Sequence, residues 1–285
     1  MINVVIPVDF ERSVFWCLKH IFRIAKSRTS KCQFFLSINT RKKISYKVLK
    51  GLFGIINKNI NFIECSYSGP VNRSKLRNFA LERVSNRVLL MDLDLKIPDE
   101  KVIKWLEEEN PNFAMFACLY ENQKSKNINP KTIRELRKKY SHIAIPSSVV
   151  YINKSNIRFD ESYIGHGYED FDFIIRHLLS VKLIEPTSDL LKDETYESIF
   201  QLSGFRLVLT KFAIETLVKG FIFEHIHHKK GDKNKYKKER IRNAAIFREK
   251  FTYLEQFPKQ SDCIFDIIKR FGIDLHSKVG KLLLI

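Results

Sequence analysis

A chain of 285 residues is long enough for one large domain, or for a catalytic domain with a small appendage. Its hydrophobic content of 44% supports a buried core and excludes disorder as the main state of the chain. The formal net charge of +18 indicates an anionic partner, such as a nucleic acid, an anionic lipid or a phosphorylated substrate, without deciding among them.

The five cysteines are scattered and form no Cys-x-x-Cys pair. This excludes a disulfide framework and a cysteine-based zinc site, and it favours a reducing compartment. The first residues, MINVVIPVDF, lack a basic region followed by a long apolar run, so no signal peptide is expected. The most apolar late stretch, Gly204–Ile226, is interrupted by charged residues and is a poor membrane span.

In the first third of the chain, apolar strands alternate with segments of helical spacing. Strands are predicted at Val4–Val8, Gln33–Ile38, Asn61–Cys65 and Arg87–Met91, and helices at Ser13–Ala25, Ser45–Ile56 and Asn72–Val84. This alternation predicts a parallel-type sheet covered on both faces. Ligands of such sheets bind beyond the carboxyl ends of the strands, and Asp92 and Asp94 stand at one such end.

The rest of the chain is less regular. The segment from Lys229 to Lys250 holds ten Lys and Arg against three Asp and Glu. From Cys263 to Leu284, apolar residues recur at helical spacing with basic residues between them. We therefore expect a catalytic domain over residues 1–250 and a basic helical appendage over 251–285. The remaining predicted elements are a polar loop at Glu121–Pro130, helices at Lys131–Tyr140 and Phe171–Val181, and a strand at Ser147–Asn153.

An apolar strand leads into two acids separated by one residue, Asp92 and Asp94. Alternation along an extended chain would place both carboxylates on one side of the strand end. Mg²⁺ and Mn²⁺ take carboxylate oxygens together with substrate phosphate oxygens, so the pair is a candidate anchor for a metal-bound diphosphate. The alternative is an acidic loop that helps to cap a helix near Asp99.

The segment Gly165–Asp170, GHGYED, contains two glycines that allow a loop to approach a ligand closely. Glu169 and Asp170 follow at the start of an apparent helix, where the helix dipole alone favours acidic residues. In the functional interpretation, a carboxylate at this point faces a pocket and accepts a proton from a sugar hydroxyl as a general base.

Three histidines, His225, His227 and His228, stand directly before the basic segment. Histidine is a common metal ligand, and His225 and His228 would share a face in helical or turn geometry. The other interpretation is a surface histidine cluster in a basic segment that binds nucleic acid.

In order and spacing, these motifs resemble those of the inverting GT-A glycosyltransferases of the β-1,4-galactosyltransferase group and of bacterial chondroitin-polymerase-like transferases. The resemblance covers roughly residues 2 to 250. It includes the group's opening strand, its Asn-Arg-x-Lys-Leu-x-Asn helix, its D-x-D, a small-residue strand, a glycine-rich Glu-Asp loop and a closing histidine segment. The corresponding ranges are Val4–Arg12, Val71–Asn78, Asp92–Leu95, Ser147–Val149, Tyr163–Asp170 and His225–Lys230.

The resemblance implies a role for each candidate residue. Asp94 and His228 would ligate Mn²⁺ or Mg²⁺ together with the donor diphosphate, and His225 is a further candidate ligand. Asp170 would be the catalytic base, and Glu169 would hold the acceptor or orient the loop. The residues expected to contact the nucleotide are Pro7, Asp9, Glu11, Arg73 and Asp92.

The fold implied by the resemblance is the α/β GT-A sandwich with a mixed sheet. The implied reaction transfers a hexose or N-acetylhexosamine from a UDP-sugar to a glycan acceptor with inversion, in bacterial capsule, O-antigen or lipooligosaccharide synthesis. A retaining UDP-sugar transferase is one alternative, although the Glu-Asp pair favours inversion. A basic nucleic-acid-binding protein is another, but no known nucleic-acid-binding motif supports it, so nucleic acid is not the expected partner.

The basic segment and the residues after it predict contact with a membrane. Acceptors in such pathways are lipid-linked glycans at the inner face of the membrane, as the resemblance implies. Basic residues near an anionic leaflet and an amphipathic helix together suffice for reversible attachment. We therefore expect a cytoplasmic enzyme attached peripherally to an anionic membrane surface. The alternative is that the basic helix packs on the catalytic domain and holds the acceptor or the diphosphate.

Overall fold

The structure, a computed structural model, describes residues 1–10, 13–27, 31–39, 46–67, 69–84, 86–122, 130, 132–193, 198–227, 232–259 and 263–285. These residues form two compact units, each assembled from several segments of the chain. The predicted division into a catalytic domain over residues 1–250 and an appendage over 251–285 stays a prediction. The first unit comprises Met1–Phe113, Val150–His177 and Lys230–Ile246, and the second comprises Ala114–Val149, Leu178–Lys229 and Phe247–Ile285.

Strands and helices alternate along the first half of the chain, as the sequence predicts. The strands are β1 (Ile2–Val8), β2 (Cys32–Asn39), β3 (Ile60–Cys65), β4 (Asn86–Leu90), β5 (Phe113–Met115), β6 (Ala117–Glu121), β7 (Tyr140–Ala144), β8 (Val150–Lys154) and β9 (Ile222–His225). The α-helices are α1 (Val14–Ala25), α2 (Tyr46–Ile56), α3 (Arg73–Leu81), α4 (Glu100–Glu109), α5 (Ile133–Lys139), α6 (Glu169–Ser180), α7 (Gly204–Val218), α8 (Lys233–Phe251), α9 (Ile264–Arg270) and α10 (Lys278–Leu283).

Within the first unit, the strands lie in the order β3-β2-β1-β4-β8. β1 to β4 run parallel, and β8 pairs with β4 in the antiparallel sense, so the sheet is mixed. α3 packs on β1 and β2, α4 packs on β1, and α2 packs on β3. Because helices cover this sheet, β1 and β2 are buried along nearly their whole length and are correspondingly apolar. The carboxyl ends of β1 and β4 lead into the predicted nucleotide-contacting residues.

The second unit has its own sheet, in the order β7-β6-β9. β7 is antiparallel to β6, and β9 is parallel to it. α7 packs on β6 and is largely buried. None of the helices in the described part of the chain is long and apolar enough to cross a membrane.

The C-terminal segment differs from the predicted amphipathic run. Its residues form two separate short helices, α9 of 7 residues and α10 of 6 residues. Gly272, with φ +60°, follows α9 in the left-handed region that commonly ends a helix. By contrast, the basic segment before it forms the 19-residue helix α8.

Candidate active site

Helix α3 is held against the segment that leads to the glycine-rich loop. Asn72 caps the helix by accepting a hydrogen bond from Lys75 N, and its Nδ2 donates to Glu161 O at 2.7 Å. Asn78 Nδ2 donates to Phe159 O at 3.0 Å, and Asn78 Oδ1 accepts from Phe159 N at 2.9 Å. These bonds fix the direction in which α3 presents the side chains of its other face.

Arg77, on α3, connects the two predicted acidic motifs. Its Nη2 donates to Asp92 Oδ1 at 2.9 Å, and its Nη1 lies 2.9 Å from Asp170 Oδ1. The Arg77 side chain is only 1% exposed, and its guanidinium lies 5.1 Å from the centroid of the Phe159 ring. The first acid of the D-x-D and the predicted base therefore share one buried counter-charge.

Arg77 was not among the residues predicted from the sequence to form the site. It occupies the variable position of the Asn-Arg-x-Lys-Leu-x-Asn motif, where the resemblance assigns no role. One signal was available, because Arg77 stands four residues after Arg73 and such residues share a helix face.

Arg73 lies near the two acids of the D-x-D and the two acids of the Glu-Asp pair. Its Nη1 is 4.0 Å from Asp92 Oδ2. Burial lowers the pKa of Arg73, but the opposing effect of the surrounding carboxylates is larger and raises its pKa above the usual value. The acids responsible are Asp92, Glu169, Asp94 and Asp170.

Asp170 is the second residue of α6, and its environment suits a general base. Burial raises the pKa of Asp170 to about 7; Arg77 opposes this shift, whereas the negative charge of Glu169 reinforces it. A carboxylate that titrates near neutral pH can take a proton efficiently in the transition state. Glu169 is 3% exposed, and its Oε2 accepts no hydrogen bond within the described residues.

The D-x-D acids do not continue the extended strand. β4 ends at Leu90, and Leu95 N donates to Asp92 O at 3.3 Å across a turn. The premise of an extended chain does not hold, because the backbone between Asp92 and Asp94 is turned, but the charges of both carboxylates still act on Arg73. Arg23 of α1 supports this turn by donating to Leu93 O at 3.1 Å and to Leu95 O at 2.5 Å.

Asp94 is almost inaccessible, with 7% of its surface exposed. Burial lowers the pKa of Arg23 to about 10, and the charge of Asp94 opposes that shift. The second D-x-D acid therefore lies within the electrostatic influence of both Arg23 and Arg73.

The glycine-rich loop has a backbone that most residues disfavour. Gly165, Gly167 and Tyr168 have φ values of +81°, +97° and +72°. A Cβ at Gly165 would also lie 2.3 Å from the carboxyl carbon of Glu239, but that flexible side chain can move aside, so the positive φ is the reason that glycine suits this position. Tyr168 adopts the left-handed conformation, and its ring lies 5.8 Å from the guanidinium of Arg240.

Helix α8 is hydrogen-bonded to this loop through the side chain of Asn243, which is fully buried. Asn243 Nδ2 donates to Ile164 O at 3.3 Å, to His166 O at 3.2 Å and to Gly167 O at 3.0 Å. Arg242 also donates to the Ile164 carbonyl. The first half of the basic helix thus packs on the unit that carries the acids, and the predicted membrane contact of this segment stays a prediction.

Replacing Asn243 by alanine is expected to lower the free energy of unfolding by about 1–3 kcal/mol, because the half-buried carbonyls of His166 and Gly167 lose their donor. Asn234→Ala is the matched control, since Asn234 is exposed on the same helix. Urea unfolding of both variants measures the difference. Equal midpoints for the two variants would mean that the loop does not depend on this contact.

Pro7 lies in β1 and Asp9 directly after it, and their predicted contact with the nucleotide stays a prediction. Pro7 is buried, and the carbonyl of Asp9 accepts a hydrogen bond from Cys17 Sγ at 3.1 Å. Burial raises the pKa of Tyr67, and the nearby charge of Asp9 adds to this shift. Glu11 lies outside the described residues.

The structure leaves the predicted metal site untested. His225 is in β9 of the second unit, with its ring 4.3 Å from that of Tyr120, and His228 lies outside the described residues. Within the described ranges, no group of three or more His, Cys, Asp or Glu side chains is arranged to hold a metal ion. The association of Asp94 with a histidine therefore stays a prediction.

A comparison with family models covers the part of the chain that contains the glycine-rich loop. Residues 119–253 match the family described as "Glycosyltransferase like family 2". The match includes Glu169, Asp170 and Asn243, whereas Arg77 and the D-x-D lie before it. Together with the mixed sheet, the match confirms the predicted GT-A fold class. The β-1,4-galactosyltransferase group remains a resemblance.

Solved structures similar to this chain include S. aureus TarS 1-349, with 14% identity, a TM-score of 0.37, and coverage of 62% of this chain and 54% of that chain. TarS 1-349 in complex with UDP has 14% identity, a TM-score of 0.41, and coverage of 62% and 55%. The chain thus spans about half the length of these TarS chains. The search of curated proteins found no match.

Proposed function

We propose that this chain is a metal-dependent, inverting glycosyltransferase that moves a hexose or N-acetylhexosamine from a UDP-sugar to a glycan acceptor. One observation carries the proposal: Arg77 joins Asp92, on the donor side, to Asp170, at the start of α6. A donor-binding acid and a base with a pKa near neutrality therefore lie within one ion-paired cluster. The family match supports the same class of reaction.

Asp170 is the proposed base. As the acceptor oxygen bonds to the anomeric carbon, its proton passes to the Asp170 carboxylate, and the bond from that carbon to the UDP oxygen breaks. Attack from the face opposite the leaving group inverts the configuration. The buried Glu169 Oε2 can accept a hydrogen bond from a hydroxyl group of the acceptor sugar and so hold that sugar during this step.

The donor set at the D-x-D fits a hard divalent ion. Asp92 and Asp94 supply carboxylate oxygens, the ligand type that Mg²⁺ and Mn²⁺ prefer, and the resemblance adds His228. When bound, the ion would neutralise the charge of the departing diphosphate. Arg73, which already faces these acids, would contact the phosphates or the nucleotide, with Pro7 and Asp9 lining the rest of the pocket.

The proposed acceptor is a lipid-linked glycan of a bacterial surface polysaccharide, reached at the inner face of the cell membrane. The acceptor rests on the resemblance, and the net charge of +18 is consistent with an anionic surface nearby.

A panel of UDP-sugars with Mn²⁺ tests the proposal without knowledge of the acceptor. We expect slow hydrolysis of one UDP-sugar, measured as UDP release, to fall about tenfold or more with excess EDTA and to recover with added Mn²⁺. GDP- and ADP-sugars serve as donor controls, and Asp94→Asn is the matched variant.

Full hydrolysis in excess EDTA would contradict the metal dependence but leave the transferase proposal standing. Failure to hydrolyse any nucleotide sugar, with or without a panel of glycan acceptors, would contradict the transferase proposal itself.

A further inference from the structure

Helices α1 and α2 cover the same face of the sheet in the first unit. They connect β1 to β2 and β2 to β3, three adjacent parallel strands, and right-handed crossovers in one direction put both helices on one side. The two helices also touch each other. Their solvent-facing sides, here called the α1–α2 face, carry exposed large apolar residues: Phe15, Phe22, Val48, Leu52, Ile55 and Ile56.

The apolar surface of α2 is wider than its packing requires. Leu49 and Phe53 are buried, and the Phe53 ring lies 6.1 Å from that of Phe62 in β3. Leu52 is nevertheless 59% exposed and Ile55 88% exposed. These side chains are apolar although the fold leaves them in water, so packing within this unit does not account for them.

α1 adds aromatic side chains to the same surface. Phe15 is 79% exposed and Phe22 is 42% exposed, with Lys19 and Lys26 exposed on the same side of the helix. Lys26 Nζ lies 4.4 Å from the centroid of the Phe22 ring. Alternating aromatic and lysine side chains are typical of helices that lie in a membrane interface, where the charged ends reach the headgroups.

The charge of the α1–α2 face has one sign. Lys47 is exposed on α2 and Lys58 just after it, beside the exposed apolar side chains. Residues 13–27 and 46–59 contain no Asp or Glu. The surface therefore combines apolar side chains with positive charge, which complements an anionic bilayer surface.

We propose that the α1–α2 face docks this protein on an anionic lipid surface. The apolar side chains enter the interface, and the lysines contact the phosphate headgroups. A second copy of the chain is a poorer occupant, because a two-fold contact would bring the lysines of both copies together without acids of this face to pair them. The proposal is independent of sugar transfer.

The α1–α2 face differs from the C-terminal segment that the sequence favoured for membrane contact. There, exposed apolar residues such as Phe265 and Tyr253 belong to short, separate elements. The two locations can be distinguished by paired substitutions.

The test is co-sedimentation of the full chain with vesicles of phosphatidylcholine alone and of phosphatidylcholine mixed with phosphatidylglycerol. We expect the original chain to bind the anionic vesicles. The double variant Leu52→Asp/Ile55→Asp should bind them roughly tenfold more weakly or worse, because it lacks two apolar side chains that would be buried in the lipid interface. The matched control, Tyr253→Asp/Phe265→Asp, is expected to bind like the original chain. Lys47→Ala is expected to weaken binding about fivefold at low salt and less at high salt.

Donor hydrolysis is measured separately, so a failure of vesicle binding and a failure of catalysis are distinguishable. The substituted residues are exposed, and thermal unfolding verifies that each variant is folded. Equal binding by Leu52→Asp/Ile55→Asp and the original chain would overturn the proposal, as would loss only in Tyr253→Asp/Phe265→Asp. Absence of binding to anionic vesicles would also overturn it. The proposal would also be overturned if the original chain were a dimer and Leu52→Asp/Ile55→Asp made it a monomer while vesicle binding stayed the same.

Discussion

Replacing Asp170 by asparagine is expected to lower kcat about 10²–10⁴-fold, the usual contribution of a general base. Asparagine keeps the size of the side chain but cannot accept the proton of the acceptor hydroxyl. Binding of the UDP-sugar should be largely retained, because Arg77 keeps its contact with Asp92. Steady-state kinetics with the donor found in the panel measure both quantities.

The pH profile gives a second measure of the same residue. Burial raises the pKa of Asp170 to about 7, and the base must be unprotonated to act. The kcat/KM of the original chain should therefore rise with pH up to about 7 and then level off. Asp170→Asn should lose this rise. If the variant stays within a factor of a few of the original, the base lies elsewhere, and Glu169→Gln becomes the next variant to measure.

Replacing Arg77 by leucine is expected to lower the free energy of unfolding by about 3–5 kcal/mol, the usual cost of removing one partner from a buried ion pair. The charges of Asp92 and Asp170 would then face each other without the cation between them. Urea unfolding measures the loss. Arg77→Lys should recover only part of it, because an ammonium lacks the two-pronged geometry that reaches both acids.

A double-mutant cycle measures the interaction between Arg77 and Asp170 directly. In an Asp170→Asn background, Arg77→Leu should cost less, because a neutral amide needs no counter-charge. Equal losses of stability in both backgrounds would show that Arg77 does not stabilise the ionised form of Asp170. In Arg77→Leu alone, the rise of kcat/KM should move to higher pH, since Arg77 lowers the pKa of Asp170.

Much of the fold follows from local patterns. The alternation of apolar strands with helical spacing predicts β1 to β4 and α1 to α3 with their ends at most about three residues away, because each element is short and strongly periodic. The mixed sheet was implied only by the resemblance, since strand direction in β8 depends on its pairing with β4. The C-terminal helical spacing was misleading, because it does not reveal the break at Gly272.

The acidic residues of the candidate site could be predicted from the sequence, but the contacts that hold them together could not. Asp92, Asp94 and the Glu-Asp pair are conspicuous beside a strand end and two glycines. Arg77 and Asn243 are not conspicuous in the sequence, because the residues that they contact are distant along the chain and the residues next to them form no distinctive pattern. The exposed side of α2 was also hidden, since apolar periodicity does not tell which part of a helix another element covers.

The four acids around Arg73 lie in a chain whose overall charge is +18. At long range the positive field accelerates the arrival of any anion, so encounter rates should fall as ionic strength rises. If the donor binds beside these acids as proposed, the carboxylates would oppose a bare diphosphate at short range and tolerate one that arrives with a cation. Charge alone would thus sort metal-loaded donors from free ones during association, before any part of the sugar is recognised.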